Sequence, residues 1–414
     1  MTDAKLEYLT TTMYVGVEAP ELWLADPTNS LYNFYTNPND PRWASFSRVL
    51  YHESIHFWQV FSSGYLADNI ASDWKRLLEF EKNGRILPPS PKIESFITKS
   101  EAAAFSVFNL TECWARYWDV HTRGPHTILS EEGREITSLG PIKRTDPYTG
   151  KESYLAAAYD AVMLGPSEAS EYSAPYRWMM DFTSGYSAFV AIVFPVLNHL
   201  AFGSPNPAIN FQKSFETAWR SKPLRKKIEA RTSNINIDWI ELWMDILKLG
   251  FMPIVRERAL PSFTPGADVI SRGVLGSHPI YSRYLKRLNE MHQTIKGRKG
   301  MNELGLTNPD VSAADQKLIL FLLNFALNNF WGVFSLPGQP DYRELLGNHL
   351  TPPRVVFHNY EWFSPGSGIE KLMQLQGGYE ADYKKDIKSL DGRVKKFQTA
   401  LYAKKIGVSP NQFK

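Results

Sequence analysis

Two histidines one helical turn apart, with a glutamate beside the first, are the residues of this chain best suited to metal chemistry. The segment His52-Glu53-Ser54-Ile55-His56 matches the pattern H-E-x-x-H. On an α-helix, residues four apart differ by about 40° around the axis, so both imidazoles lie on one face. One divalent cation such as Zn²⁺ can bind the two rings. Glu53 then lies beside the metal, where a general base for a metal-bound water belongs.

The sequence around the motif favours the helix that this chemistry needs. Residues 44–61 contain neither glycine nor proline, and Pro41 lies just upstream, where the start of a helix tolerates it. Apolar residues recur in this segment near helical spacing. The run ends at Ser62-Ser63-Gly64, which is typical of a helix stop. We therefore predict that the whole motif lies on one helix.

A third metal ligand must come from elsewhere, because a catalytic zinc usually takes three protein ligands and a water. Glu112 is the preferred candidate, since it falls in a helix predicted over residues 93–120 that carries small side chains. Small residues let such a helix pack closely, so that a glutamate can reach a shared metal. Glu101 lies on the same predicted helix, about 16 Å earlier along its axis, and is the alternative.

The sequence leaves other roles open for these residues. Glu112 could instead form an i to i+4 salt bridge with Arg116 on a helix surface. His121 and His126 follow the predicted helix and could supply a ligand or a hydrogen-bond partner for one. Loop histidines without a metal are the preferred interpretation of both. A later histidine or aspartate is a further candidate for the third ligand.

An H-E-x-x-H motif followed by a helical glutamate in the setting Glu112-Cys-Trp-Ala115 resembles the gluzincin branch of the zincin metallopeptidases. The resemblance covers residues 45–119. It implies that His52, His56 and Glu112 bind zinc and that Glu53 is the general base. It also implies a zincin-like fold around the motif helix, in which an edge strand binds extended peptide by strand addition. The N-terminal strand segment is the candidate for that role.

Composition narrows the class of protein. The chain has 414 residues, is 43% hydrophobic and carries a net charge of +3, which is too mild to indicate a nucleic-acid partner. A single cysteine suits a reducing compartment, and the first residues lack the apolar stretch of a secretory signal, so we expect a cytoplasmic protein. The apolar segments 187–202 and 318–336 carry proline, histidine or asparagine and are predicted to be buried helices rather than membrane spans.

The pattern of elements predicts a mainly α (α+β) fold. Strand character is concentrated in residues 8–17, and loops are predicted at 261–280 and 333–367. Helices are predicted at residues 68–83, 93–120, 154–164, 169–202, 208–219, 236–250, 279–296, 311–332 and 378–404. We expect a metal-motif subdomain over 1–125, a loop-rich connection over 126–153 that includes a hairpin tip, and a helical portion over 154–414 that completes the site.

Three functions fit these features. The first is a zinc-dependent hydrolase that acts on a peptide, in which Glu53 deprotonates a metal-bound water. The second is a non-haem Fe²⁺ oxygenase acting on a small molecule, because two histidines and a carboxylate also form its facial triad. The third is a zincin-like binding protein without catalysis. A ferritin-like di-iron site would need two E-x-x-H segments, and the sequence has one.

Overall fold

In a computed structural model, helices make up most of the residues that the structure describes, and the small β element predicted near the N-terminus is present. The structure describes residues 4–19, 21–25, 44–123, 128–129, 135–136, 144–145, 152–153, 170–232, 239–261, 264–286, 353–363 and 379–406. Its helices are α1 (Glu21–Ala25), α2 (Ala44–Ser62), α3 (Gly64–Asn83), α4 (Pro91–Ile97), α5 (Val107–Arg123), α6 (Ser170–Phe182), α7 (Ser187–Phe202), α8 (Pro207–Arg220), α9 (Lys222–Thr232), α10 (Trp239–Ile246), α11 (Met252–Glu257), α12 (Gly266–Arg272) and α13 (Tyr379–Ile406).

Three shorter features complete the described helical structure. A π-helical turn over Leu247–Phe251 joins α10 to α11, and a 3₁₀ turn over Val274–Ser277 follows α12. Residues 279–286 are also helical. The predicted helices at 154–164 and 311–332 lie outside the described residues.

The main sheet has four short strands in the order β1-β2-β7-β8. The strands are β1 (Ala4–Glu7), β2 (Thr12–Val15), β7 (Arg354–Val356) and β8 (Glu361–Phe363). β1 and β2 form an antiparallel hairpin, β2 pairs in parallel with β7, and β7 pairs antiparallel with β8. The predicted loop over 333–367 therefore contains two strands, and that prediction was wrong for 354–356 and 361–363. The predicted loop over 261–280 likewise contains α12 and the 3₁₀ turn.

Two small hairpins lie in the region predicted as a loop-rich connection. β3 (Ile128–Leu129) pairs with β4 (Glu135–Ile136), and β5 (Arg144–Thr145) pairs with β6 (Glu152–Ser153), both antiparallel. The second pair encloses residues 146–151, which confirms the predicted hairpin at that place.

Two predicted helices are each interrupted. The helix predicted over 93–120 is instead α4 and α5, separated by a turn. Ser106 caps α5, because its hydroxyl accepts a hydrogen bond from the backbone N–H of Asn109 at 3.1 Å while the Asn109 side chain accepts one from the Ser106 N–H at 3.0 Å. The helix predicted over 169–202 is α6 and α7, which are separated where Ser184 and Gly185 adopt left-handed backbone angles, φ 53° and 83°.

The described chain divides into two compact units, and both are discontinuous in sequence. Unit 1 comprises Met1–Phe61, Leu66–Pro91 and Gly266–Lys414, and unit 2 comprises Ser62–Tyr65 and Lys92–Pro265. This division differs from the boundaries expected at 125 and 153. It arises because distant parts of the chain share one core, as where Phe397 of α13 packs on Phe80 of α3.

The core of unit 1 packs α2 and α3 against the C-terminal part of the chain. Aromatic side chains of α2 contact Tyr281 and Tyr284, and Trp74 of α3 lies 4.5 Å from the ring of His278, centroid to centroid. α13 buries one apolar stripe at helical spacing, and ion pairs hold its flanks. Those pairs are Arg393 with Glu81, Arg283 with Asp386, and Arg354 with Asp391.

The core of unit 2 is built around α7, which is buried along most of its length as predicted for 187–202. Pro195 lies inside this helix and has no N–H to donate to the carbonyl of Ala191. The hydroxyl of Tyr117 in α5 donates to that carbonyl at 2.7 Å instead. The side chain of one helix thus supplies the hydrogen bond that the proline removes from its neighbour.

Candidate metal centre

The H-E-x-x-H motif lies on α2, as predicted, and its two histidines converge. The Nε2 atoms of His52 and His56 are 3.1 Å apart. Two nitrogens that bind one tetrahedral zinc at about 2.0–2.1 Å are separated by about 3.3 Å. The observed separation therefore fits two ligands of a single cation.

The orientation of the two rings agrees with this interpretation. Their centroids are 4.8 Å apart and their planes are 86° from parallel. The rings are therefore not stacked, and each presents its Nε2 edge to the other. His52 is half-buried and His56 is only 4% exposed, so the pair lies where the helix meets the interior of the protein.

Glu53 adds a carboxylate to the pair. One ligand atom from each of His52, Glu53 and His56 lies within 4.8 Å of the others, and this is the group found among the described residues that could hold a metal ion. Glu53 is 9% exposed. A carboxylate removed from bulk water interacts strongly with a nearby cation or proton. The group can therefore bind a cation through two nitrogens and accept a proton beside it.

The side of α2 opposite the histidines packs against the core of unit 1 and holds the helix in place. Phe57 is fully buried and its ring lies 5.1 Å from that of Tyr284, centroid to centroid, while Phe61 lies 5.7 Å from Tyr281. These contacts belong to the core of unit 1. They fix the rotation of the helix about its axis, and with it the direction in which the motif points.

Gln59 is a site residue that the sequence reasoning missed. Its Oε1 lies 2.9 Å from Nδ1 of His56, and its side chain is fully buried. The signal was present in the sequence, because Gln59 follows His56 by three positions and His52 by seven. Both spacings place it on the same helix face.

The predicted third ligand, Glu112, lies on α5 in unit 2 and is half-buried. The motif residues lie in unit 1, so its role as a ligand stays a prediction. The prediction that Glu101 lies on the same helix as Glu112 was wrong, because Glu101 is exposed in the turn that precedes α5. The thiol of neighbouring Cys113 is fully buried, and burial raises its pKa to about 12, so it stays protonated.

The other histidines divide into buried and exposed ones. Burial lowers the pKa of His199 to about 3 in unit 2, and burial also lowers the pKa of His278 to about 4 in unit 1. Both therefore stay neutral at ordinary pH. His278 donates from Nε2 to the carbonyl of Leu9 at 2.8 Å, a structural role. His358 is exposed, His121 lies on α5, and His126, His292 and His349 lie outside the described residues.

Comparison of the chain with family models, with curated proteins and with solved structures gave no match. Among the helices that the structure describes, none combines the length and the apolar character needed to cross a membrane. The predicted buried helix over 318–336 lies outside the described residues.

Proposed function

We propose that this protein is a metal-dependent hydrolase, with Zn²⁺ as its metal and Glu53 as its general base. The observation that carries the proposal is the 3.1 Å separation of the Nε2 atoms of His52 and His56, with the Glu53 carboxylate beside them. Imidazole nitrogens with an adjacent carboxylate suit a zinc ion that keeps a position open for water.

Each motif residue has a separate role in the proposed reaction. His52 and His56 hold the cation through their Nε2 atoms, and Glu112 is the proposed third protein ligand, as the resemblance to gluzincins implies. The metal, when bound, supplies Lewis-acid chemistry. Glu53 accepts the proton of the attacking water and returns it to the leaving group. Its burial favours that role, because bulk water does not compete for the carboxylate.

The β structure favours a narrow substrate range. Each strand of the main sheet has only three or four residues, and β1 ends the sheet order on one side of the described strands. A long peptide held by strand addition would gain few backbone hydrogen bonds from so short a strand. The proposed substrate is therefore a short peptide or a small molecule with a hydrolysable carbonyl.

A second candidate rests on the composition of the same group. Two imidazoles and one carboxylate, as in His52, His56 and Glu53, are also the donor set of non-haem Fe²⁺ oxygenases. In that case Glu53 binds the metal rather than moving a proton. A zincin-like protein that binds its partner without catalysis is the third possibility.

Glu53→Gln separates these functions. We expect the purified protein to contain zinc and to hydrolyse members of a panel of short quenched-fluorescent peptides and nitrophenyl esters. The variant should keep its zinc and lose at least about a hundredfold in rate, since the amide cannot accept the proton. Glu18→Gln is the matched control, because Glu18 is exposed in the same unit.

Three results would contradict parts of this proposal. Full activity in Glu53→Gln would remove Glu53 from the mechanism. Iron rather than zinc in the purified protein, lost from Glu53→Gln, would favour the oxygenase. Bound zinc without hydrolysis of any panel member would favour the binding protein.

A further inference from the structure

Gln59 is buried next to the metal pair without being a metal ligand. Its side chain is fully buried on α2, and its Oε1 lies 2.9 Å from Nδ1 of His56. Burying an amide costs free energy unless its polar atoms are hydrogen-bonded. An apolar residue would fill this position without that cost, so the amide requires an explanation.

The contact between Gln59 and His56 constrains where the proton of the imidazole lies. A neutral imidazole carries a proton on one nitrogen and a lone pair on the other. If Oε1 accepts a hydrogen bond, then Nδ1 of His56 is the protonated nitrogen. The Nε2 lone pair is then directed at His52, whose own Nε2 is 3.1 Å away. That is the tautomer which a metal bound at Nε2 needs.

We propose that Gln59 is a positioning residue that holds His56 in the Nδ1-protonated tautomer and so presents its Nε2 lone pair to the metal. This inference rests on the proposed metal site. It predicts that the amide acceptor, and not the volume of the side chain, sets the affinity for zinc. Hydrogen-bond partners of metal-binding histidines typically change metal affinity by about 10–100-fold when they are removed.

The first test compares zinc affinities, measured with Zn²⁺ alone in competition with a chromophoric chelator. Gln59→Leu removes the acceptor at similar volume and should weaken zinc binding by about 10–100-fold. Gln59→Glu keeps an acceptor and should restore affinity to the wild-type range. Gln212→Leu is the matched control, because Gln212 accepts from the backbone N–H of Ala104 at 2.9 Å in unit 2. It should leave zinc affinity unchanged.

The second test is read on the wild-type protein, and a variant is used only to assign the signals. Nitrogen-15 spectra of the histidine rings in the wild-type protein report which nitrogen carries the proton, with His56 assigned by its loss in His56→Asn. We expect a protonated Nδ1 and an unprotonated Nε2 on His56, both without metal and with one equivalent of Zn²⁺. A proton on Nε2 in the metal-free protein would overturn the inference, as would wild-type affinity in a folded Gln59→Leu protein.

Failure of this inference can be distinguished from failure of the proposed function. If the wild type binds zinc but His56 carries its proton on Nε2, Gln59 has no positioning role and the metal site stands. If the wild type does not bind zinc, the metal site fails. The tautomer of the metal-free protein then still decides whether Gln59 orients His56.

Discussion

The Nε2 atoms of His52 and His56 lie 3.1 Å apart, and the planes of the two imidazole rings are 86° from parallel. A cation bound between these two nitrogens would be held by both rings and would bind the folded chain alone. Zinc should therefore raise the thermal midpoint of unfolding. At a free zinc concentration of one hundred times the Kd, binding should raise the free energy of unfolding by about 2.7 kcal/mol. Differential scanning fluorimetry with Zn²⁺ and then with a chelator measures the shift, which should be absent from His56→Ala.

Acid should destabilise the protein through His278. Burial, with a smaller contribution from the charge of Arg393, lowers the pKa of this imidazole from 6.5 to about 4. As pH falls below 6.5, the unfolded chain binds a proton there that the folded chain does not bind until pH 4 is approached. Stability present above pH 6.5 is thus lost through this window, by up to about 3 kcal/mol.

Urea unfolding at several pH values measures this loss. His278→Asn should be less stable at pH 7 and should show a weaker dependence on pH between 6.5 and 4. His358→Asn is the control, because that histidine is exposed. An unchanged pH profile in His278→Asn would contradict the assignment.

Removal of the Tyr117 hydroxyl should destabilise unit 2. Tyr117→Phe leaves the carbonyl of Ala191 without its donor, since Pro195 cannot supply one. An unsatisfied buried acceptor costs about 1–3 kcal/mol. The change in the urea midpoint measures the cost, and Tyr360→Phe is the matched control. Equal stability of the two variants would show that the carbonyl finds another donor.

Two glycine substitutions should act in opposite directions. A Cβ on Gly64 would lie 2.2 Å from the carbonyl oxygen of Thr264, so Gly64→Ala should destabilise by about 1–3 kcal/mol. A Cβ on Gly392 meets nothing within 4 Å, and the residue lies inside α13. Gly392→Ala should therefore stabilise by about 0.5–1 kcal/mol. Urea midpoints of the two variants check the signs, and a destabilised Gly392→Ala would contradict the packing.

The motif helix could be predicted from sequence because its signals are local. A run without glycine or proline and an i to i+4 histidine pair lie within α2, and the predicted stop at Ser62-Ser63-Gly64 falls at its C-terminal end. The same is true of α13. These elements depend on residues that are neighbours along the chain. The strand segment predicted over 8–17 contains β2, whereas residues 8–11 form the turn of the hairpin and β1 lies before the segment.

The features that the sequence did not predict depend on contacts between residues far apart in the chain, or on one helix cap. β7 has only three residues and pairs with β2 from the opposite end of the chain, so no periodicity marks it. The break before α5 depends on Ser106 and Asn109, a cap without the usual glutamate. Because the break was not predicted, Glu101 was placed on the same helix as Glu112, which it precedes. The two discontinuous units likewise follow from tertiary contacts.

The most direct test of the metal centre is the zinc X-ray absorption spectrum of the protein with one equivalent of Zn²⁺. We expect scattering from two imidazole rings, with nitrogen at about 2.0–2.1 Å from the metal, and from one ring in His56→Ala. A spectrum without imidazole scattering, or one that does not change in that variant, would contradict it.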